Sequence, residues 1–133
     1  MSYKIVANRR AWWPVTVPVT AEDGTVGEHA FELRFILHKV DRQEELEEIV
    51  KAKMVEAVKA KEAGDDVTSS MVQRDMLKMF ADDWRGVLAE NEEPLVWNDE
   101  NVRLLMNEPR LFDRAMVAYR LCLAGGQEIR QGN

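Results

Sequence analysis

The sequence predicts an α+β fold, an N-terminal antiparallel β-hairpin or small sheet followed by about four α-helices. Three observations carry this. Apolar residues alternate at period two between Trp12 and Val40, an Asp23-Gly24 turn interrupts the alternation, and from Asp41 onward apolar residues recur at helical spacing. A chain of 133 residues suits one domain with one core. Its expected parts are a β-region over 1–40, a helical region over 41–126 and a frayed tail over 127–133.

The first strand is expected over Trp12–Thr20. Trp13, Val15, Val17 and Val19 share one face, with Pro14 and Pro18 on the other. Proline cannot donate a ladder hydrogen bond, so this strand belongs at a sheet edge. Glu22-Asp23-Gly24-Thr25 reads as the hairpin turn. The return strand runs from about His29 to Val40, with Phe31, Leu33, Phe35 and Leu37 buried between Glu32, Arg34 and His38. Lys4–Ala7 is the candidate for a third strand.

The first helix is expected from Asp41 to Glu62, with Asp41 as N-cap, Glu44 completing a capping box, and Leu46, Ile49, Val50, Met54 and Val58 as its apolar stripe. Its glutamates come early and its lysines late, an order that complements the helix dipole. Ala63-Gly64-Asp65-Asp66 breaks the helix, and Thr68, Ser69 or Ser70 caps the next. That second helix is expected to carry Val72, Met76, Leu77, Phe80 and Trp84 and to stop near Gly86. An acidic loop over Leu88–Glu93 and an extended Pro94-Leu95-Val96-Trp97 follow. Asn98 caps a third helix with Val102, Leu104 and Leu105. Glu108-Pro109 opens a fourth, with Phe112, Ala115, Met116, Tyr119, Cys122 and Leu123 inward, and Gly125-Gly126 ends it.

Little in the sequence carries chemistry. His29 and His38 lie nine positions apart on one expected strand, hence on opposite faces, where they cannot share a metal. Cys122 sits alone in an apolar stripe, which reads as core, and a single cysteine excludes an intrachain disulfide. No phosphate-binding glycine loop and no nucleophile elbow is present. The carboxylates of Glu44–Glu48 and Asp82-Asp83 read as solvated helix faces. No cofactor and no catalytic or metal-binding residue is therefore expected. Nor is a secretory signal or a membrane-spanning run expected. The net charge of -6 disfavours nucleic acid, although Arg9-Arg10-Ala11-Trp12-Trp13 has the composition of a base-stacking platform. Four tryptophans and seven methionines suit protein interfaces as well as cores. Trp12 and Phe31 are the candidate partner contacts.

The stretch from Phe80 to Tyr119 resembles the tail assembly chaperones of long-tailed bacteriophages. The resemblance rests on Trp84, Gly86-Val87, the acidic Glu90–Glu93, Pro94-Leu95-Val96-Trp97, Asn98, Glu100, Leu104-Leu105, Pro109 and Ala118-Tyr119. Family members often carry glycine in the acidic loop where this chain has Glu92-Glu93, and Phe-Ser where it has Trp97-Asn98. The resemblance implies a non-catalytic protein of the host cytoplasm, absent from the mature virion. It would bind and solubilise the tape measure protein, help recruit the tail tube protein and form a homo-oligomer. Trp84 and Trp97 are then expected to pin the interhelical loop to the core, with Leu104, Leu105 and Tyr119 beneath. The alternatives are a structural tail or connector subunit and a small nucleic-acid-binding regulator using Arg9, Arg10, Trp12 and Trp13.

Overall fold

In a computed structural model that describes residues 1–125, the chain folds as β1 (Arg9–Thr20), β2 (Val26–Leu37), α1 (Val40–Glu62), α2 (Ser69–Phe80), β3 (Ala81–Arg85), α3 (Asp99–Met106) and α4 (Leu111–Leu123). The strands form one antiparallel sheet in the order β1-β2-β3. The architecture is α+β, as the periodicity predicted. The frayed tail expected over 127–133 lies outside the described residues.

β1 and β2 pair without interruption from Arg9↔Leu37 to Thr20↔Val26. Strand alternation then divides their side chains. Val15, Val17, Leu33 and Phe35 are buried on one face, with Trp13, Phe31 and Leu37 packed at their margin. The opposite face turns Trp12, Pro14, Glu32 and Arg34 outward. Helix α4 lies across β1 and β2, α2 lies on β2 and β3, and α3 packs on both helices. Leu77, Val102, Met106, Leu111, Ala115, Ala118 and Cys122 close the core from the helical side. At about 25 cal/mol per Å² of apolar surface removed from water, this single-faced core is the main source of stability.

Five expectations change. The second helix ends at Phe80, and Ala81–Arg85 is a strand, so Trp84 sits on β3. The register slips between Arg34 and Phe35, where Leu33 faces Trp84 and Phe35 faces Ala81. That bulge turns both Ala81 and Trp84 inward although they are three residues apart, which destroys the period-two signal and imitates helical spacing from Phe80 to Trp84. Lys4–Ala7 is not a strand. The adjoining β1 edge carries Pro14 and Pro18, which lack donors, and the segment is instead tied down by Lys39 donating to the Val6 carbonyl at 2.7 Å.

Helix α1 starts at Val40 with Lys39 at the N-cap and no side-chain cap bond, so the Asp41–Glu44 capping box does not form. The Gln43 amide reaches back to the His38 carbonyl at 2.8 Å. Of the expected α1 stripe only Leu46 is buried. Among the described elements α1 packs on α2 alone. Pro109 precedes α4, whose N-cap is Arg110 at φ 67°.

Candidate functional site

The sequence-derived candidates fall on three separate places. The first is the segment from Trp84 to Asn98. The β3 strand delivers the Trp84 side chain to the core, where its indole donates to the Leu95 carbonyl at 2.7 Å and meets the Trp97 ring edge-on at 5.1 Å. Between these tryptophans the chain folds into a small hairpin, with Leu88 bridged to Pro94 and the Leu95 amide donating to Val87. Glu92 turns it at φ 69°. Asn98 accepts from the Asn101 amide at 2.8 Å and so caps α3, as its residue type predicts.

The residues expected beneath the tryptophans divide. Leu105 is half-buried against the core, but Leu104 is 55% exposed. α3 buries Val102 and Met106, four apart, and a residue midway between them in sequence points to the opposite side. Tyr119 is buried in a different aromatic cluster, with its ring 5.2 Å from Phe35 and 4.9 Å from Phe80. Its hydroxyl donates to the Ile36 carbonyl at 3.2 Å, and burial pushes its pKa up to about 12.

The second place is the outer sheet face. The Arg85 guanidinium lies 4.2 Å from the centre of the Trp12 ring and that of Arg34 lies 5.8 Å from it, both within cation–π range. Asp82, in the bulge, accepts from Arg10 at 2.5 Å and from Arg34 at 2.6 Å. Partial burial pushes its carboxyl up, but the hydrogen bonds from Arg34 and Arg10 bring it below the ordinary carboxylate value. Glu32 takes two bonds from Arg85, which likewise hold its carboxyl low. Asp82-Asp83 thus reads as a hydrogen-bonded strand bulge and not as a helix face. Trp13 is on the core face, so the two neighbouring indoles do not make one stacking platform.

The third place surrounds Phe31. An open recess of ≈ 300 Å³ at the hairpin end of the sheet is lined by Val19, Phe31, Gly86, Leu88, Leu105 and Leu111, among others. Gly86 ends β3 at φ 84°, a backbone conformation that disfavours any side chain, while the space above it is ordinary contact distance from Phe31. Leu88 and Val19 are exposed at its rim. Residues 12 and 31 belong to opposite faces, because Trp12 pairs with Arg34 and Phe31 with Val15. One flat partner surface therefore cannot touch both. Sequence reasoning missed Leu88 and Val19. Their signal was apolar residues beside a hairpin turn and an acidic loop.

The β1 edge does not add a strand readily. For the unbroken ladder to β2 to survive, Pro14 and Pro18 must turn their nitrogens outward, along with the polar groups of Thr16 between them. The Thr16 carbonyl already accepts from Arg114 at 2.8 Å. Docking through side chains is left.

The histidines and the cysteine have local roles. The His38 ring is 2.6 Å from the Met79 carbonyl, His29 is exposed, and burial raises the Cys122 thiol pKa. Among the described residues no group of three His, Cys, Asp or Glu is placed to hold a metal ion, and no helix is long and apolar enough to cross a membrane. Comparison with family models, with curated proteins and with solved structures returns no match.

Proposed function

We propose that this chain is a non-catalytic assembly chaperone of a long-tailed phage, which binds and solubilises the tape measure protein and helps recruit the tail tube protein. The observation that carries the reading is the segment from Trp84 to Leu105. Trp84, Trp97 and the Leu88–Pro94 bridge fold it back on itself, and its Gly86, Val87, Leu88 and Leu105 build one wall of the largely apolar recess around Phe31. Such a recess suits the apolar stripe of an amphipathic helix, which is the chemistry a long helical tape measure protein presents. The acidic chain around it keeps the assembly dispersed. Phe31 and Leu88 are the contacts assigned to this partner. Trp12, on the other face, is left for a separate contact such as a tube subunit. The protein acts in the host cytoplasm and leaves before the virion matures.

The test is co-expression with the tape measure protein encoded nearby, followed by solubility and pull-down. The partner should become soluble and co-purify, and Leu88→Glu should cut recovery at least several-fold without unfolding the chain. Insolubility of the partner, with this protein retained in purified virions, would establish a structural tail or connector subunit instead.

A further inference from the structure

Helix α1 is long, weakly attached and divided in charge. Met54, Val55 and Val58 are 55%, 53% and 56% exposed, although they sit mid-helix in a 23-residue element. Asp41–Glu48 holds five acids and one arginine, whereas Lys51–Glu62 holds four lysines and two glutamates. Glu44, Glu47, Lys51, Met54, Val58 and Lys61 follow the alternating three- and four-residue spacing that keeps residues on one stripe of a helix. All six are exposed. Their stripe borders a groove of ≈ 210 Å³ between α1 and α2, which Met54, Val58 and Val72 line.

We propose that α1 is a self-association surface that pairs antiparallel with α1 of a second copy of this chain. Antiparallel pairing sets the acidic end of each helix on the basic end of the other. In the register that sets Met54 against Met54 of the second copy, Glu47 meets Lys61 at each end and the Lys51 stem lies along Val58. A parallel pair would instead set acid on acid and lysine on lysine. A two-fold pair uses the same patch twice, so one charge pattern satisfies both halves of the interface. The occupant is a second copy because the complementarity lies within the helix itself. The inference rests on the chaperone reading, whose family resemblance implies a homo-oligomer. Its test involves this chain alone, so failure here leaves the tape measure pull-down to be judged separately.

The experiment is sedimentation equilibrium on the whole chain and on two charge-reversed variants, Glu44→Lys/Glu47→Lys and Lys59→Glu/Lys61→Glu, with circular dichroism to confirm that each is folded. The native chain should sediment above monomer mass at micromolar concentration, and each variant should fall to monomer. An equimolar mixture of the two variants should regain the native mass, because the reversed ends are again complementary. A monomeric native chain would overturn the proposal, leaving the charge order to serve the helix dipole alone. So would variants that keep the native mass, or a mixture that stays monomeric.

Discussion

At the scale of single residues, backbone geometry and charge pairing make opposite kinds of prediction. Glu92 and Arg110 are the only described non-glycine residues at positive φ, at 69° and 67°. A side chain there costs about 1–2 kcal/mol. Glu92→Gly should therefore raise stability by about 1 kcal/mol, seen as a higher urea midpoint at unchanged slope. A lower midpoint would show that the Glu92 side chain contributes more than its backbone costs. Glycine suits that left-handed turn, a link between residue type and φ that the sequence did not reveal. Asp82 acts through charge. Its folded pKa lies below its unfolded value of 3.8, so its contribution is complete above that pH and disappears as pH falls through the folded pKa. Asp82→Asn should cost about 1 kcal/mol at neutral pH, since the group is partly exposed. The cost should shrink toward zero in urea titrations repeated below pH 3.8.

At the scale of elements, attachment to the core separates the helices. Both α2 and α3 start with side-chain caps, Thr68 and Asn98, and bury an apolar face against the sheet or a neighbouring helix. Asn98→Ala should cost about 1 kcal/mol, because the Asn101 amide loses its acceptor. By contrast α1 has one buried side chain and no side-chain cap. Amide hydrogen exchange should find it opening at lower free energy than α2, α4 or β2 in the isolated monomer. Protection equal to that of α4 would mean that α1 is covered in solution. The length of α1 was legible because glutamate, lysine, alanine and leucine favour helix throughout. Its burial was not, since an apolar stripe says which side chains could be covered and not whether anything covers them.

At the scale of the molecule, one face of a three-stranded sheet and three helices share a single core, and stability is concentrated there. Phe35 is fully buried and touches the Tyr119 ring. Phe35→Ala should cost about 3–5 kcal/mol, which is much of the roughly 5–15 kcal/mol available to a domain. The measurable outcome is loss of near-ultraviolet dichroism and a broadened thermal transition. The other sheet face is laced by Arg10, Asp82, Arg34, Glu32 and Arg85 around Trp12. Trp12→Ala should change stability far less than Phe35→Ala, because the ring it removes is only half-buried. If Trp12→Ala instead unfolds the chain, the outer face contributes to folding and is not a free surface.

The sequence by itself determined the α+β class, the β1–β2 hairpin, the extent of α1, the Asn98 cap and the proline-blocked edge. Each follows from local chemistry: period-two alternation, an Asp-Gly turn, charge order along a helix, a capping amide and a missing donor. Only the tertiary structure decided that Ala81–Arg85 leaves the second helix to complete the sheet. A bulge at Asp82, set by pairing to a strand distant in the chain, places Ala81 and Trp84 on one face at a spacing that reads as helical. Tertiary packing likewise turned Leu104 outward, moved Tyr119 to Phe35 and Phe80, and put Trp12 and Phe31 on opposite faces. These outcomes depend on which elements meet across the core, a non-local fact that no local pattern of residue types encodes.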